Sequence, residues 1–313
     1  MKRFNNILLA AGGEGWEKTA LQKAAALAGN NRARLTIVDV IEELPRDMRI
    51  LVTAIHLGDL QKLAVAERRK QLAHLIAPFK SRGLRVSARV LVGKPFIELI
   101  REVLRNKHDL VIRAAKKNSG LKMVFGSTAM HLMRKCPCPV WIVKQENRKN
   151  TGGVMAAVDP DPNDGKRNAL NNKIMELAAS LARMEERAFH PVHVWKLYTE
   201  RMLVSRGGLS HEEVEKLART VRAEREAWLG ELVDTYAPGT PPSRIHLLKG
   251  EADVLIPQAA KKEKIGLIVM GTVSRTGISG FLIGNTAEKI LNRVDCSVLT
   301  VKPEGFVTPV KLK

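Results

Sequence analysis

The segment Gly126-Ser-Thr-Ala…Cys138-Pro-Val-Trp-Ile-Val-Lys144 occurs a second time as Gly284-Asn-Thr-Ala…Cys296-Ser-Val-Leu-Thr-Val-Lys302. The two copies align without a gap from their first glycine to their last lysine, at an offset of 158 residues (284 − 126). The repeats of a solenoid are only about 20–50 residues long. The larger spacing therefore predicts two fused domains, and 313 residues are enough for each domain to bury its own core.

Outside the repeated segment, each half of the chain alternates short apolar or β-branched runs with helical patterns. The runs that predict strands in the first half are Ile7–Ala11, Arg34–Val40, Val86–Val92, Asp109–Ile112 and Val140–Val143. The second half repeats this order. Such alternation is typical of an α/β domain with a parallel sheet, helices on both faces and right-handed crossovers. We expect domains at residues 1–146 and 152–305, joined by a polar, glycine-containing linker.

The charge of the chain is divided unequally. The net charge is +20, yet residues 1–150 contain 29 Lys+Arg and 12 Asp+Glu, a net charge of +17, and the rest contains 23 and 20, a net charge of +3. A basic first half can attract nucleic acid, such as RNA, or another anion. A solvated basic surface is the favoured alternative, because only 4% of the residues are aromatic and base-stacking stretches are missing from the sequence.

Composition also bears on the cellular compartment and on which kinds of site are expected. No apolar run approaches the roughly 20 residues of a membrane-spanning helix, and three cysteines suit a reducing compartment, so we expect a cytoplasmic protein. Cys136 and Cys138 are interpreted as buried thiols rather than a redox or metal pair. His190 and His193 lie three apart on a predicted strand and hence face opposite sides of the sheet. We predict neither catalytic nor metal-binding residues.

The second half carries a candidate ligand site. Ligands of open parallel sheets bind beyond the carboxyl ends of the strands, where Asp159 ends one predicted strand and the segment from Met270 follows another. Gly271 allows close approach of backbone to a ligand, Arg275 offers a charged donor, and Gly284 precedes a helix whose first N–H groups suit a phosphate. These features predict a small anionic ligand; a purely structural glycine turn is the alternative.

The segment from Met270 to Thr286 resembles the glycine signature G-x2-G-x9-G-[S/T] of the universal stress protein family, and the two copies together resemble its tandem type over essentially the whole chain. The resemblance implies two α/β domains, each a five-stranded parallel sheet of order 3-2-1-4-5. It further implies ATP, with or without Mg²⁺, whose phosphates lie on the signature loop and whose adenine lies near the ends of the first two strands. Pairing of the domains through their fifth strands is also implied. A homodimer is a further candidate assembly, and the sequence leaves open whether two chains associate.

The signature carries over to the second copy with two departures. Gly271 matches the first glycine and Gly284 the last, whereas Ser274 replaces the second glycine and Asn285, beside Thr286, replaces the usual Ser or Thr. Asp159 matches the family's acidic residue after the first strand. The predicted ligand-binding residues are Asp159, Val194, Met270, Gly271, Ser274, Arg275, Gly284, Asn285 and Thr286.

The first copy has lost more of the signature. Gly12 replaces the acidic residue, and the first two glycines align either with Ala114 and Lys117 or with Arg113 and Lys116. We therefore expect nucleotide binding in the second domain only, in a sensor or adaptor that is at most a slow ATPase. The alternatives are an RNA-associated protein that docks through its basic first domain and a structural interaction module with empty pockets.

Overall fold

The computed structural model describes residues 4–12, 18–43, 57–117, 123–144, 152–197, 207–272 and 284–312. The described chain divides into two compact units. The first unit contains the residues up to 144 and also the C-terminal segment from Phe306, and the second contains the residues from 152 to Gly305. Most of the predicted linker lies outside the described residues.

The first unit is built on a parallel sheet. Its strands are β1 (Asn6–Ala10), β2 (Arg34–Ile41), β3 (Val86–Val92), β4 (Leu110–Ala114), the two-residue strands β5 (Lys116–Lys117) and β6 (Met123–Val124), and β7 (Val140–Val143). Parallel pairing gives the order β3-β2-β1-β4-β7, and β5 pairs with β6 in a separate antiparallel ladder. The order 3-2-1-4-5 of the five main strands is confirmed, while the small ladder was not expected.

The helices that the structure describes against this sheet are α1 (Lys18–Asn31), α2 (Leu57–Ser81), α3 (Pro95–Asn106) and α4 (Ser127–Lys135). Helix α3 shows how local sequence sets its limits. Pro95 suits the first helical position because its missing N–H would have no intrahelical partner there. The helix ends at Lys107, whose φ of 52° lies in the left-handed region. Its buried side includes Leu99, Ile100, Val103 and, unusually, Glu102.

The second unit repeats the architecture. Its strands are β8 (Val154–Val158), β9 (Phe189–Trp195), β10 (His246–Lys249), β11 (Leu267–Gly271) and β12 (Ser297–Val301). The α-helices in its described ranges are α5 (Gly165–Met184), α6 (His211–Tyr236), α7 (Ala252–Lys262) and α8 (Asn285–Arg293). The parallel order is β10-β9-β8-β11-β12, again 3-2-1-4-5. The predicted α/β class is thus confirmed in both halves.

The sequence Ser210-His-Glu-Glu213 has the pattern of a capping box, which predicts a helix start, and helix α6 begins there. Ser210 Oγ accepts a hydrogen bond from the backbone N–H of Glu213, while the Glu213 carboxylate accepts one from the Ser210 N–H. This reciprocal capping box satisfies two N–H groups at the helix start. Across the ranges that the structure describes, no helix is both long enough and apolar enough to cross a membrane.

Candidate functional site

Asp159 follows β8 at the carboxyl edge of the second sheet, the edge at which the parallel strands end. Asn171 of α5 holds its backbone from both sides: the Asp159 N–H donates to Asn171 Oδ1 over 3.0 Å, and Asn171 Nδ2 donates to the Asp159 carbonyl over 2.9 Å. The Asp159 side chain nevertheless remains 41% exposed. The fold therefore fixes the position of this carboxylate while leaving it open to a ligand.

Charged and polar groups surround this carboxylate. Arg167 Nη1 lies 3.8 Å from Asp159 Oδ2 and 3.0 Å from Asp161 Oδ2, and Arg167 Nε lies 3.4 Å from Asp164 Oδ2. His193 Nδ1 is 3.9 Å from Asp159 Oδ1 and 3.1 Å from the Val158 carbonyl. Because a carbonyl only accepts hydrogen bonds, Nδ1 is the nitrogen that carries the proton. Three carboxylates thus converge on one guanidinium beside the predicted site.

The neighbouring strand β11 delivers the glycine signature to the same edge, since β8 and β11 pair directly. Thr272 follows it, and its backbone carbonyl accepts a 2.9 Å hydrogen bond from the Gly284 N–H. Lys302, buried at the end of β12, donates its ammonium to Thr272 Oγ1. These contacts hold together the described ends of the signature loop and place a buried cation beside them.

Packing, as well as the predicted ligand, explains why residue 271 is a glycine. A Cβ at this position would lie 3.0 Å from Leu170 Cδ2 of α5, which is closer than nearly all real Cβ contacts. A glycine here lets α5 pack closely against β11, independently of any ligand. The side chain of Met270 is buried, so only its backbone can face a ligand.

Helix α8 begins where the signature ends. Gly284 is its N-cap, with φ −60° and ψ 139° and without a side-chain cap, and Asn285 and Thr286 form the first turn. The N–H groups of an uncapped first turn lack intrahelical partners and carry the positive end of the helix dipole. Val194 is half-buried near the carboxyl end of β9. Ser274 and Arg275 lie outside the described residues.

The register of paired strands shows which residues of the two units correspond. Ala10 of β1 pairs with Arg113, and Ala157 of β8 pairs with Met270. If Gly12 corresponds to Asp159, then Ala10 corresponds to Ala157 and Ala114 therefore corresponds to Gly271. The register thus favours the alignment that places Ala114, not Arg113, at the first signature glycine.

In the first unit a guanidinium occupies the position that an acidic side chain takes in the second. A Cβ at Gly12 would lie 2.6 Å from Arg113 Nη2, so the arginine is packed against the glycine. Burial lowers the pKa of the Arg113 guanidinium, and the nearby Asp39 carboxylate opposes that shift. Asp39 is itself buried and paired with Arg68 Nε at 2.8 Å. Among the described residues, the carboxyl edge of the first unit therefore carries the Arg113 guanidinium against Gly12 and an Arg68–Asp39 ion pair of its own.

Sequence reasoning overlooked several members of the second-unit site: Asn171, Arg167, His193, Thr272 and Lys302. Lys302 had a visible signal, because it ends the internal repeat that also contains Lys144. Thr272 lies within the signature segment, whereas Asn171, Arg167 and His193 come from elements that the fold, rather than a motif, brings to this edge. His190 lies apart from His193, with its Nδ1 3.1 Å from His246 Nε2. Among the described residues, no group of three or more His, Cys, Asp or Glu side chains is arranged to hold a metal ion.

Comparison with known proteins agrees with the tandem resemblance. The model of the universal stress protein family matches residues 3–144 and again residues 154–302. Universal stress protein E of Photorhabdus laumondii is 26% identical over 315 residues, which cover 99% of either chain. Universal stress protein E of Escherichia coli K12 is 27% identical over 314 residues, which cover 100% of this chain and 98% of that protein. A solved structure of a functionally unknown protein from Pseudomonas aeruginosa PAO1 has a TM-score of 0.73 at 25% identity, covering 97% of this chain and 95% of its own.

Proposed function

Because this chain belongs to the universal stress protein family, we propose that it is a stress-response protein that binds a nucleotide, ATP being the first candidate, at the carboxyl edge of its second unit. The observation that carries the proposal is the contrast between the two edges. The second unit presents the partly exposed Asp159 carboxylate, whereas the packed guanidinium of Arg113 fills the corresponding place in the first. One unit would thus bind the ligand, and the other would serve as scaffold.

The residues of the second unit fit the chemistry of a nucleotide. The uncapped start of α8 at Asn285 and Thr286 suits a phosphate group, because free N–H groups and the helix dipole both favour an anion. Asp159 suits a ribose hydroxyl or a Mg²⁺ ion held by phosphate oxygens. Val194, half-buried and next to the last residue of β9, is the candidate for contact with the base. Ser274 and Arg275 complete the predicted ligand set.

The role that we propose is that of a sensor or adaptor. Phosphoryl transfer needs a positioned nucleophile and clamps for the developing charge. The sequence contains no recognisable catalytic set, so the protein would be at most a slow ATPase. Pairing of the two units through their fifth strands, a homodimer and a cytoplasmic location stay predictions. Native mass spectrometry of freshly purified protein would measure both the assembly state and any nucleotide that co-purifies.

The direct test is isothermal titration of the full chain with ATP and Mg²⁺, using two isosteric variants that each remove one negative charge. Asp159→Asn should weaken ATP binding by about tenfold or more, as expected for the loss of a charged hydrogen-bond partner. Asp161→Asn is the matched control, because Asp161 also pairs with Arg167 but lies two residues further from the end of β8 than Asp159 does. Its affinity should stay within about twofold of the parent. No heat at millimolar ATP, or equal losses in both variants, would refute the proposal.

A further inference from the structure

A cleft of ≈ 650 Å³ opens at the opposite side of the first unit, at the amino edge where its parallel strands begin. Its lining includes the first residues of β1, β2 and β3 together with residues from α2, α3 and the segment that follows α3. This volume lies within the range of pockets that hold small molecules. The cleft is separate from the nucleotide edge proposed above, which belongs to the other unit.

The floor of the cleft contains two buried polar side chains, Glu102 and His108, which we call the polar floor. They are 2% and 5% exposed. Glu102 Oε1 lies 3.7 Å from His108 Nε2 and 3.4 Å from Arg89 Nη1, without forming a hydrogen bond to either. Both ring nitrogens of His108 also lack hydrogen-bond partners among the described residues. Buried polar atoms are nearly always satisfied in native proteins, so this pair calls for a partner.

The mouth of the cleft carries four basic side chains, Arg34, Lys80, Arg85 and Arg89, which we call the basic rim. All four residues are exposed, so their cationic groups remain accessible to a ligand. Arg85 Nη2 donates to the Arg32 carbonyl, which holds its guanidinium in one place. Arg89 already pairs with Glu102, the single carboxylate among the described lining residues, so the remaining three cations favour an anionic ligand. Guanidinium and ammonium groups form charge-assisted hydrogen bonds with phosphate oxygens.

We propose that this cleft binds a small phosphorylated sugar or polyol, with the phosphate on the basic rim and hydroxyl groups on the polar floor. A hydroxyl group can donate to Glu102 Oε1 and accept from, or donate to, a ring nitrogen of His108. It would thereby supply the hydrogen bonds that these buried atoms lack among the described residues. A bare phosphate would occupy the basic rim only and leave the polar floor unsatisfied.

The experiment is isothermal titration of the full chain with ribose 5-phosphate, inorganic phosphate and ribose. Ribose 5-phosphate should bind saturably and at least about tenfold more tightly than either of the others. The double variant Arg34→Gln/Lys80→Gln should weaken it about tenfold or more through loss of two charged donors. The matched control Arg69→Gln/Lys70→Gln removes the same charges from exposed positions of α2 outside the cleft, and its affinity should stay within about twofold.

Glu102→Met tests the polar floor, with the melting temperature as a check of folding. It should abolish the preference for ribose 5-phosphate over phosphate while leaving phosphate binding no weaker. Should this variant fail to fold, the rim variants still decide the matter. Asp159→Asn should not change ribose 5-phosphate binding, which separates this cleft from the nucleotide site. No saturation by about 10 mM, no preference over phosphate, or equal losses in the rim and control variants would overturn the proposal.

Discussion

Substitution of Gly152 by alanine tests how tightly the second unit is packed at the entry to its central strand β8. A Cβ at Gly152 would lie 1.8 Å from the carbonyl oxygen and 2.7 Å from the carbonyl carbon of Lys264. This neighbour is backbone at the turn between α7 and β11, where Lys264 has a φ of 52°. The Gly266 N–H also donates to the Gly153 carbonyl over 3.0 Å, which ties the two segments together. No side chain can rotate away to relieve the contact.

The expected loss of stability follows from that geometry. Overpacking a well-packed site usually costs about 1–3 kcal/mol, and a clash between backbone atoms belongs at the upper end. Replacing glycine by alanine restricts the unfolded chain, which offsets about 0.4–1 kcal/mol. We therefore expect Gly152→Ala to lower the free energy of unfolding of the second unit by about 2 kcal/mol. Gly165→Ala is the control, because no atom of the described residues lies within 4 Å of the place its methyl group would take. It should be neutral or stabilise by up to about 1 kcal/mol.

Urea unfolding of the full chain would measure both variants, and hydrogen exchange would assign the change to a unit. In Gly152→Ala, amides of β8 and β11 should exchange faster, while those of β1 and β4 should not change. A Gly152→Ala protein as stable as Gly165→Ala would refute the reasoning, because it would mean that the turn at Lys264 moves at little cost.

Three further predictions concern capping, pH and thiol reactivity. Ser210→Ala should destabilise α6 by about 1 kcal/mol, the usual cost of losing an N-cap. Ser210→Asp keeps a capping side chain, so its urea midpoint should stay close to that of the parent. Equal midpoints for all three proteins would contradict the capping role. Burial lowers the pKa of His190, His246 and Arg244 lower it further, and Glu263 opposes them. Burial also lowers the pKa of His246, with Lys262 acting in the same direction and Glu263 again opposing. The pKa values of both histidines in the folded chain lie below the ordinary 6.5, so the stability that the neutral pair contributes is complete above that pH and is lost as the pH falls below it. Between pH 7.5 and 5.5, the melting temperature of a His190→Gln/His246→Gln variant should therefore fall less than that of the parent. An equal fall in both proteins would show that the pair does not titrate as inferred. Cys136 is buried as expected, whereas Cys138 is only half-buried. A hydrogen bond with Cys136, with 3.5 Å between the sulfur atoms, and partial burial raise the pKa of the Cys138 thiol well above its ordinary value. Iodoacetamide at pH 8 should therefore alkylate Cys138 much more slowly in the folded chain than in urea, as followed by mass spectrometry, and similar rates would exclude this protection.

Much of the fold was readable from local sequence. The repeat that ends at Lys144 and Lys302 predicts two units of one architecture, and the β-branched runs predict β3 and β7 at their observed limits. Alternation of strands and helices then leaves few topologies, since parallel strands need right-handed crossovers. The capping box at Ser210 likewise marks the start of α6, because its hydrogen bonds join residues only three apart. Signals of this kind are local, so the order of residues along the chain is enough to recognise them.

The contents of the sites depended on tertiary structure. That Arg113 fills the edge beside Gly12 follows from the pairing of β1 with β4, which joins residues about a hundred positions apart. The contact of Asp159 with Asn171 and His193, and the burial of Glu102 beside His108, likewise arise where separate elements pack together. Motifs show which backbone segments reach an edge of the sheet. Which side chains meet there, and whether they leave room for a ligand, is decided by packing between elements that are distant in sequence.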